Sequence, residues 1–142
     1  MLAKRVLLDT GFWFALYDRR DRHYGVAGRL AESIFACQVI LPWPSLYETL
    51  NTRFVRRIDW LASFRLLIGR RNVSKLEDGV YRERALAQAL ATGRTEGSLS
   101  LVDRVIREML ADRSVRVDAL VTFNRPDFAD VCAKRKIQIL DT

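Results

Sequence analysis

Acidic and amide side chains recur in this sequence directly after segments that are predicted to be buried strands. They are Asp9, Glu48, Asn124 and Asp127, which follow the apolar residues 6–8, 39–41 and 119–122. The carboxyl ends of parallel strands meet at one edge of an open α/β sheet, and ligands bind there. We therefore expect these four side chains to lie at a common edge.

Asp103 extends this set, although strand order alone does not fix its position. It lies at the start of a predicted helix, three residues after Ser100, in an imperfect capping box. Several converging carboxylates repel one another unless a cation lies among them. Mg²⁺ and Mn²⁺ prefer carboxylate and water oxygens, so the pattern indicates a site for one of these ions.

Each acidic residue also has a purely structural explanation. Asp9 is a good N-cap for the helix predicted after it. Ser45 and Glu48 form a complete Ser-x-x-Glu capping box, which predicts a helix that opens at Ser45. Asp127 follows Pro126 at a predicted helix start, where an acidic side chain complements the helix dipole. Both interpretations stay open for every one of these residues.

The elements that must position these residues alternate along the chain. Strands are predicted at residues 5–8, 39–41, 73–76, 119–122 and 137–140. Amphipathic helices are predicted between them, including one that runs from Ser45 through Phe54. Such alternation predicts an α/β fold with a mostly parallel sheet and helices on both faces.

Composition limits the classes of protein. The chain has 142 residues, 49% of them hydrophobic, which predicts one domain over residues 1–142. It carries no apolar run of about 18 residues and no signal-peptide pattern, so a cytoplasmic protein without membrane contact is expected. Cys37, Cys132 and His23 are too few for a disulfide framework or a zinc site.

The charge indicates a polyanionic partner. The sequence has 24 Lys and Arg against 17 Asp and Glu, a net charge of +7. Clustered cations gain affinity for nucleic acid by releasing counterions from its phosphates. The basic residues 19–22 and 53–57 are the segments expected to hold an RNA backbone, although solvated helix faces and an arginine-rich genome leave the same pattern.

Four segments together resemble a known family. They are residues 8–13 (LDTGFW), 44–48 (PSLYE), 98–103 (SLSLVD) and 121–128 (VTFNRPDF). In order and spacing they resemble the four motif blocks of PIN-domain ribonucleases, and the total length resembles that of stand-alone bacterial toxins of the VapC type. The resemblance extends over residues 6–140. It implies a PIN-like three-layer sandwich with a central, mostly parallel sheet flanked by helices.

The resemblance also implies a site and an activity. Asp9, Glu48 and Asp103 match the family's metal-binding acids. Many relatives carry Asp at the position of Asn124, whereas others have Asn there and Asp three residues later, so either Asn124 or Asp127 completes the site. The implied activity is Mg²⁺-dependent or Mn²⁺-dependent endoribonuclease cleavage that leaves a 5′-phosphate. A cognate antitoxin and a homodimer are implied as partners, and Thr10 and Ser100 match polar residues that support the acids.

Two other classes of function are considered. A catalytically silent PIN-like module that binds RNA or assists assembly agrees with the altered fourth block. A phosphatase of the haloacid dehalogenase type also begins with an aspartate after a strand. That chemistry needs a second aspartate two residues later, where this chain has Gly11. The sequence offers no Ser-His-Asp or Cys-His set and no phosphate-binding glycine loop.

Overall fold

A single parallel sheet forms the centre of the molecule. The computed structural model describes residues 4–92 and 99–142. Within them the strands are β1 Arg5–Leu8, β2 Gln38–Pro42, β3 Val73–Leu76, β4 Ala119–Val121 and β5 Gln138–Leu140. Their order in the sheet is β3-β2-β1-β4-β5, and every neighbouring pair is parallel. The predicted strand positions and the parallel sheet are confirmed.

Helices cover both faces of this sheet. In the described ranges they are α1 Thr10–Tyr17, α2 Tyr24–Phe35, α3 Trp43–Thr49, α4 Thr52–Val55, α5 Ile58–Ile68, α6 Arg82–Thr92, α7 Leu101–Ala111 and α8 Arg125–Arg135. None of these helices has the length and hydropathy needed to cross a membrane. Gly93, Gly97 and Ser98, the last of which belongs to the third motif block, lie outside the described residues.

Two apolar layers hold the helices to the sheet, because successive strand residues point to opposite faces. On one face Val6, Leu8, Val39 and Val121 pack in a cluster that includes the aromatic rings of α1, α4 and α5. On the other face Leu7, Ile40 and Leu120 pack against α7 and α8. The central strands are buried on both sides, which explains why they read as continuous apolar runs. The predicted three-layer sandwich is confirmed.

The helix predicted to open at Ser45 begins earlier and ends sooner. It starts at Trp43 because Pro44, with its fixed φ, is well suited to a first helical turn, and Ser45 is buried inside it. The prediction of a continuous helix to Phe54 is also wrong. Asn51 interrupts it and caps α4, since its side-chain oxygen accepts the Phe54 N–H at 3.1 Å.

The sheet order places a switch point between β1 and β4. From β1 the chain moves outward through β2 and β3 on one side, and β4 and β5 lie on the other side. Leu8 is in register with Val121, so the ends of β1 and β4 are adjacent. Ligands of open α/β sheets bind where strand order reverses in this way, which directs attention to the residues that follow Leu8 and Val121.

Candidate functional site

Asp9 lies at the switch point. Its backbone N–H donates to the Val121 carbonyl at 3.0 Å, which extends the β1–β4 pairing by one residue. One carboxylate oxygen accepts the Thr10 N–H at 2.8 Å, and the other accepts the Thr122 hydroxyl at 2.9 Å. Asp9 is the N-cap residue of α1, as one interpretation predicted. Capping accounts for only one of these two carboxylate bonds.

Burial gives Asp9 unusual acid–base behaviour. The residue is only 5% exposed, and this burial raises the pKa of its carboxyl from an ordinary 3.8 to about 6. The bonds from Thr122 and Thr10 oppose the rise, whereas the charges of Asp103 and Glu48 add to it. Asp103 and Glu48 are therefore near enough to Asp9 to act on its charge.

Glu48 reaches the site from α3. The Thr10 hydroxyl donates to its Oε1 at 2.8 Å, so Thr10 contacts Asp9 through its backbone and Glu48 through its side chain. The Ser45–Glu48 capping box is wrong, because the N-cap position of α3 belongs to Pro42 and Ser45 lies within the helix. The Glu48 carboxylate is exposed and is free of a capping role.

Asp103 enters from the start of α7. Ser100 caps that helix by accepting the Asp103 N–H at 3.1 Å, so the predicted cap is confirmed. Partial burial raises the pKa of the Asp103 carboxyl, and the neighbouring charge of Asp127 raises it further. Asp103 is therefore coupled to Asp9 on one side and to Asp127 on the other.

The two candidate ligands of the fourth motif block, Asn124 and Asp127, occupy different positions at the start of α8. Asn124 is exposed at the N-cap of α8, and its backbone N–H donates to the Thr122 hydroxyl at 3.1 Å. The structure gives its side chain no capping bond. Asp127 lies in the first turn of α8 and acts electrostatically on Asp103. Of these two residues, Asp127 is therefore the one that interacts electrostatically with Asp103.

Arg107 fixes α8 against α7 and was not singled out from the sequence. Its guanidinium donates to both carboxylate oxygens of Asp130 at 2.7 Å and to the Asp127 carbonyl at 2.6 Å. Bidentate arginine–carboxylate pairs of this kind fix orientation as well as adding energy. The available signal was its position four residues after Asp103, which places both residues on one face of α7.

The donors of this site suit a hard cation. Asp9, Glu48, Asp103 and Asp127 supply only carboxylate oxygens. Burial raises the pKa values of Asp9 and Asp103, and repulsion between neighbouring carboxylates raises them further. A cation among them would relieve that repulsion. Within residues 4–92 and 99–142, no three potential ligand side chains are grouped closely enough to hold a metal ion as they stand.

Comparison with known proteins gives the fold a context. No family model and no curated protein matches the sequence. Among solved structures, the chain is similar to VapC20 from Mycobacterium tuberculosis, a Sarcin-Ricin loop cleaving toxin. Identity is 22%, 88% of this chain and 94% of that chain are covered, and the TM-score is 0.66.

Two further solved structures are similar over nearly the whole chain. A DNA-bound VapBC from Salmonella typhimurium shares 17% identity, covers 98% and 97% of the two chains, and has a TM-score of 0.56. VapBC2 from Rickettsia felis, bound to a promoter DNA fragment, shares 12% identity with 95% and 96% coverage and a TM-score of 0.55. These likenesses confirm the predicted PIN-like fold.

Proposed function

We propose that this protein is a metal-dependent endoribonuclease and the toxin of a toxin–antitoxin pair. The observation that carries the proposal is the buried Asp9 carboxylate at the β1–β4 switch point, which Thr10 links to Glu48 and on which the charge of Asp103 also acts. The fold is shared with VapC20, a toxin that cleaves the Sarcin-Ricin loop. The excess of basic residues supports RNA as the substrate, since cations gain affinity by displacing counterions from phosphates.

Asp9, Glu48, Asp103 and Asp127 are the residues proposed to hold Mg²⁺, with Mn²⁺ as the alternative ion and Asn124 as a weaker ligand. A carboxylate is a better ligand for a hard cation than a neutral amide oxygen, which favours Asp127 over Asn124. When bound, such an ion lowers the pKa of a water and stabilises negative charge on a phosphodiester in the transition state.

The chain's own residues prepare this site. Thr10 and Thr122 hold the Asp9 carboxylate in one orientation, and the Thr10 hydroxyl orients Glu48. Ser100 fixes the first turn of α7, where Asp103 lies. These bonds keep the carboxylates in place while they carry like charges, which preorganises the site for a positively charged occupant.

The partners proposed are RNA, a cognate antitoxin and a second copy of the chain, and the unit proposed to act is a single domain over residues 1–142. These follow from the resemblance of the four motif blocks and from the shared fold with VapC20 and VapBC. Growth arrest on expression, relieved by co-expression of a small protein encoded beside this one, is the expected cellular behaviour of a toxin with an antitoxin.

A direct test uses purified protein and end-labelled structured RNA. We expect cleavage with Mg²⁺ or Mn²⁺, products with 5′-phosphates, and no cleavage in EDTA. Asp103→Asn should abolish cleavage while the protein stays folded. Cleavage that persists in EDTA or in the Asp103→Asn variant would contradict the proposed site.

A catalytically silent RNA-binding module is the second candidate. Two observations favour it: the amide of Asn124 where many relatives carry a carboxylate, and the lack of a closed three-ligand group among the described residues. This candidate predicts binding of RNA without cleavage at any concentration of Mg²⁺ or Mn²⁺. The same assay therefore decides between the two functions.

A further inference from the structure

A basic cleft lies between the end of α1 and the junction of α4 with α5. Its volume is about 560 Å³. The residues that define it here are Arg19, Arg20, Arg53, Arg57 and Trp60. The α1 helix of eight residues, about 12 Å long, separates this basic cleft from Asp9. The basic cleft is thus distinct from the acidic site.

Two arginines of the cleft have their guanidinium groups over aromatic rings. The Arg53 guanidinium lies 5.3 Å from the centre of the Phe14 ring and 5.6 Å from that of Trp60. The Arg57 guanidinium lies 4.3 Å from the centre of the Trp60 ring. Both side chains remain open to solvent, with 60% of Arg53 and 53% of Arg57 exposed. Both guanidinium groups therefore contact aromatic rings and remain accessible to a ligand.

The cleft keeps a surplus of positive charge. Asp18 forms an ion pair with Arg53, and Asp59 lies 3.5 Å from Arg57, so the four arginines of the cleft exceed the two aspartates by two charges. Each of these two ion pairs uses a single terminal nitrogen of the arginine. A guanidinium carries five N–H donors, so both arginines keep donors for an anion.

A guanidinium stacked on an aromatic ring offers an anion-binding edge and a flat outer face. The edge suits a phosphate, to which arginine donates two parallel hydrogen bonds. The flat face suits an unstacked nucleobase, because single-stranded RNA is bound by stacking on aromatic rings and on arginine planes. An acidic peptide would use the edge alone, so the stacked geometry favours a nucleic acid.

We propose that the basic cleft is a second binding site for single-stranded RNA, which takes a phosphate group and one unstacked base. The proposal deepens the proposed ribonuclease function, on which it rests, by placing a substrate contact about one helix length from the acidic residues. RNA held there extends the region over which the enzyme selects its substrate, and the contact acts mainly on binding rather than on the chemical step.

The test measures binding of a fluorescein-labelled oligouridine, about 12 nucleotides long, by fluorescence anisotropy in EDTA. Arg19→Gln/Arg57→Gln is compared with Arg29→Gln/Arg71→Gln, a control that removes the same charge from exposed positions outside the cleft. The cleft variant should bind at least about tenfold more weakly, and its log–log salt slope should decrease by about 0.7, the contribution of one lost phosphate contact on a single strand. The control should change affinity much less.

A third variant separates charge from stacking. Arg57→Lys keeps the positive charge but removes the planar surface that stacks on Trp60 and on a base. We expect weaker oligouridine binding with an unchanged salt slope. If Arg57→Gln lowers the melting temperature, Arg19→Gln/Arg20→Gln removes two charges from the cleft without touching the ring stacks and is used in its place.

Three results would overturn the proposal. Equal losses in the cleft variant and the control would show a general charge effect. No loss in either would show that RNA binds elsewhere. Loss of binding to polyglutamate with unchanged RNA binding would show a docking site for an acidic protein. Because binding is measured in EDTA, it is independent of cleavage: a wild type that binds oligouridine through the cleft but never cleaves RNA refutes the nuclease function alone.

Discussion

The buried Asp9 carboxyl should destabilise the metal-free protein, and Asp9→Asn should reveal by how much. A pKa raised from 3.8 to about 6 means that the folded state holds the proton more tightly than the unfolded chain. A tenfold difference in affinity corresponds to about 1.4 kcal/mol, so the ionised carboxyl lowers the free energy of unfolding by about 3 kcal/mol. Asparagine retains an oxygen for the Thr10 N–H and carries no charge.

The sign of this effect depends on pH. Below pH 3.8 the carboxyl is protonated in both the folded and the unfolded state and has no effect. Between pH 3.8 and about 6 unfolding releases a proton, so the wild type loses stability as the pH rises. Above about pH 6 the full destabilisation is present. The advantage of Asp9→Asn should therefore grow from about 0.5 kcal/mol at pH 4 to about 3 kcal/mol at pH 7.

Urea denaturation in EDTA at several pH values measures this difference. With a slope of about 2 kcal/mol per molar urea, the midpoint of the variant should exceed that of the wild type by about 1.5 M at pH 7. Asp130→Asn is the control of opposite sign, because Arg107 lowers the pKa of the Asp130 carboxyl to about 2 and its ionised form stabilises the fold. A lower midpoint for Asp9→Asn at pH 7 would refute the reasoning and favour a capping role.

Three further predictions concern the fourth motif block, Arg107 and Thr49. Asp127→Asn should raise the Mn²⁺ concentration needed for half-maximal cleavage about tenfold, as expected for loss of one charged ligand. The melting temperature of the metal-free protein should change little. Asn124→Asp should lower the Mn²⁺ concentration needed for half-maximal cleavage if that side chain faces the site. An unshifted metal titration in both variants would exclude the fourth block from the site. Arg107→Gln should lower the free energy of unfolding by about 1–2 kcal/mol, because it removes the hydrogen bonds that hold the first turn of α8 against α7. It should also weaken Mn²⁺ binding in calorimetry. A purely structural role would leave Mn²⁺ affinity unchanged. Thr49→Val should raise the free energy of unfolding by about 1 kcal/mol, since the buried Thr49 hydroxyl has no hydrogen-bond partner among the described residues. Urea titration measures this change. A loss of stability would show that the hydroxyl forms a hydrogen bond.

The strands and the caps were predictable because their signals are local. Apolar runs identify strands that are buried on both faces, and Ser100 and Asp9 cap the helices that directly follow them. The start of α3 was predicted wrongly because two local signals competed there. The helix starts before Ser45 because the fixed φ of Pro44 favours the first turn of a helix, so Ser45 lies within α3 and not at its N-cap.

Contacts between distant segments could not be predicted from the sequence. Alternating strands and helices do not specify strand order, so the effect of the Asp103 charge on Asp9 could be found only from the fold. The Arg107 contacts with α8 and the hydrogen bond from Thr10 to Glu48 likewise join segments that only tertiary packing brings together. The roles of the four carboxylates in metal binding stay predictions.

The switch point between β1 and β4 also determines when the site can exist. β1 and β2 are made before β4, and the partners of Asp9, which are Val121 and Thr122, follow it by more than 110 residues. Such non-local pairing closes a long loop and is slow relative to local structure. A nascent chain that has not yet exposed β4 cannot fix the Asp9 carboxylate. The ribosome that makes this protein therefore carries an RNA-rich surface beside an unfinished site, and the order of translation itself delays the proposed activity until β4 has been made and has left the ribosome.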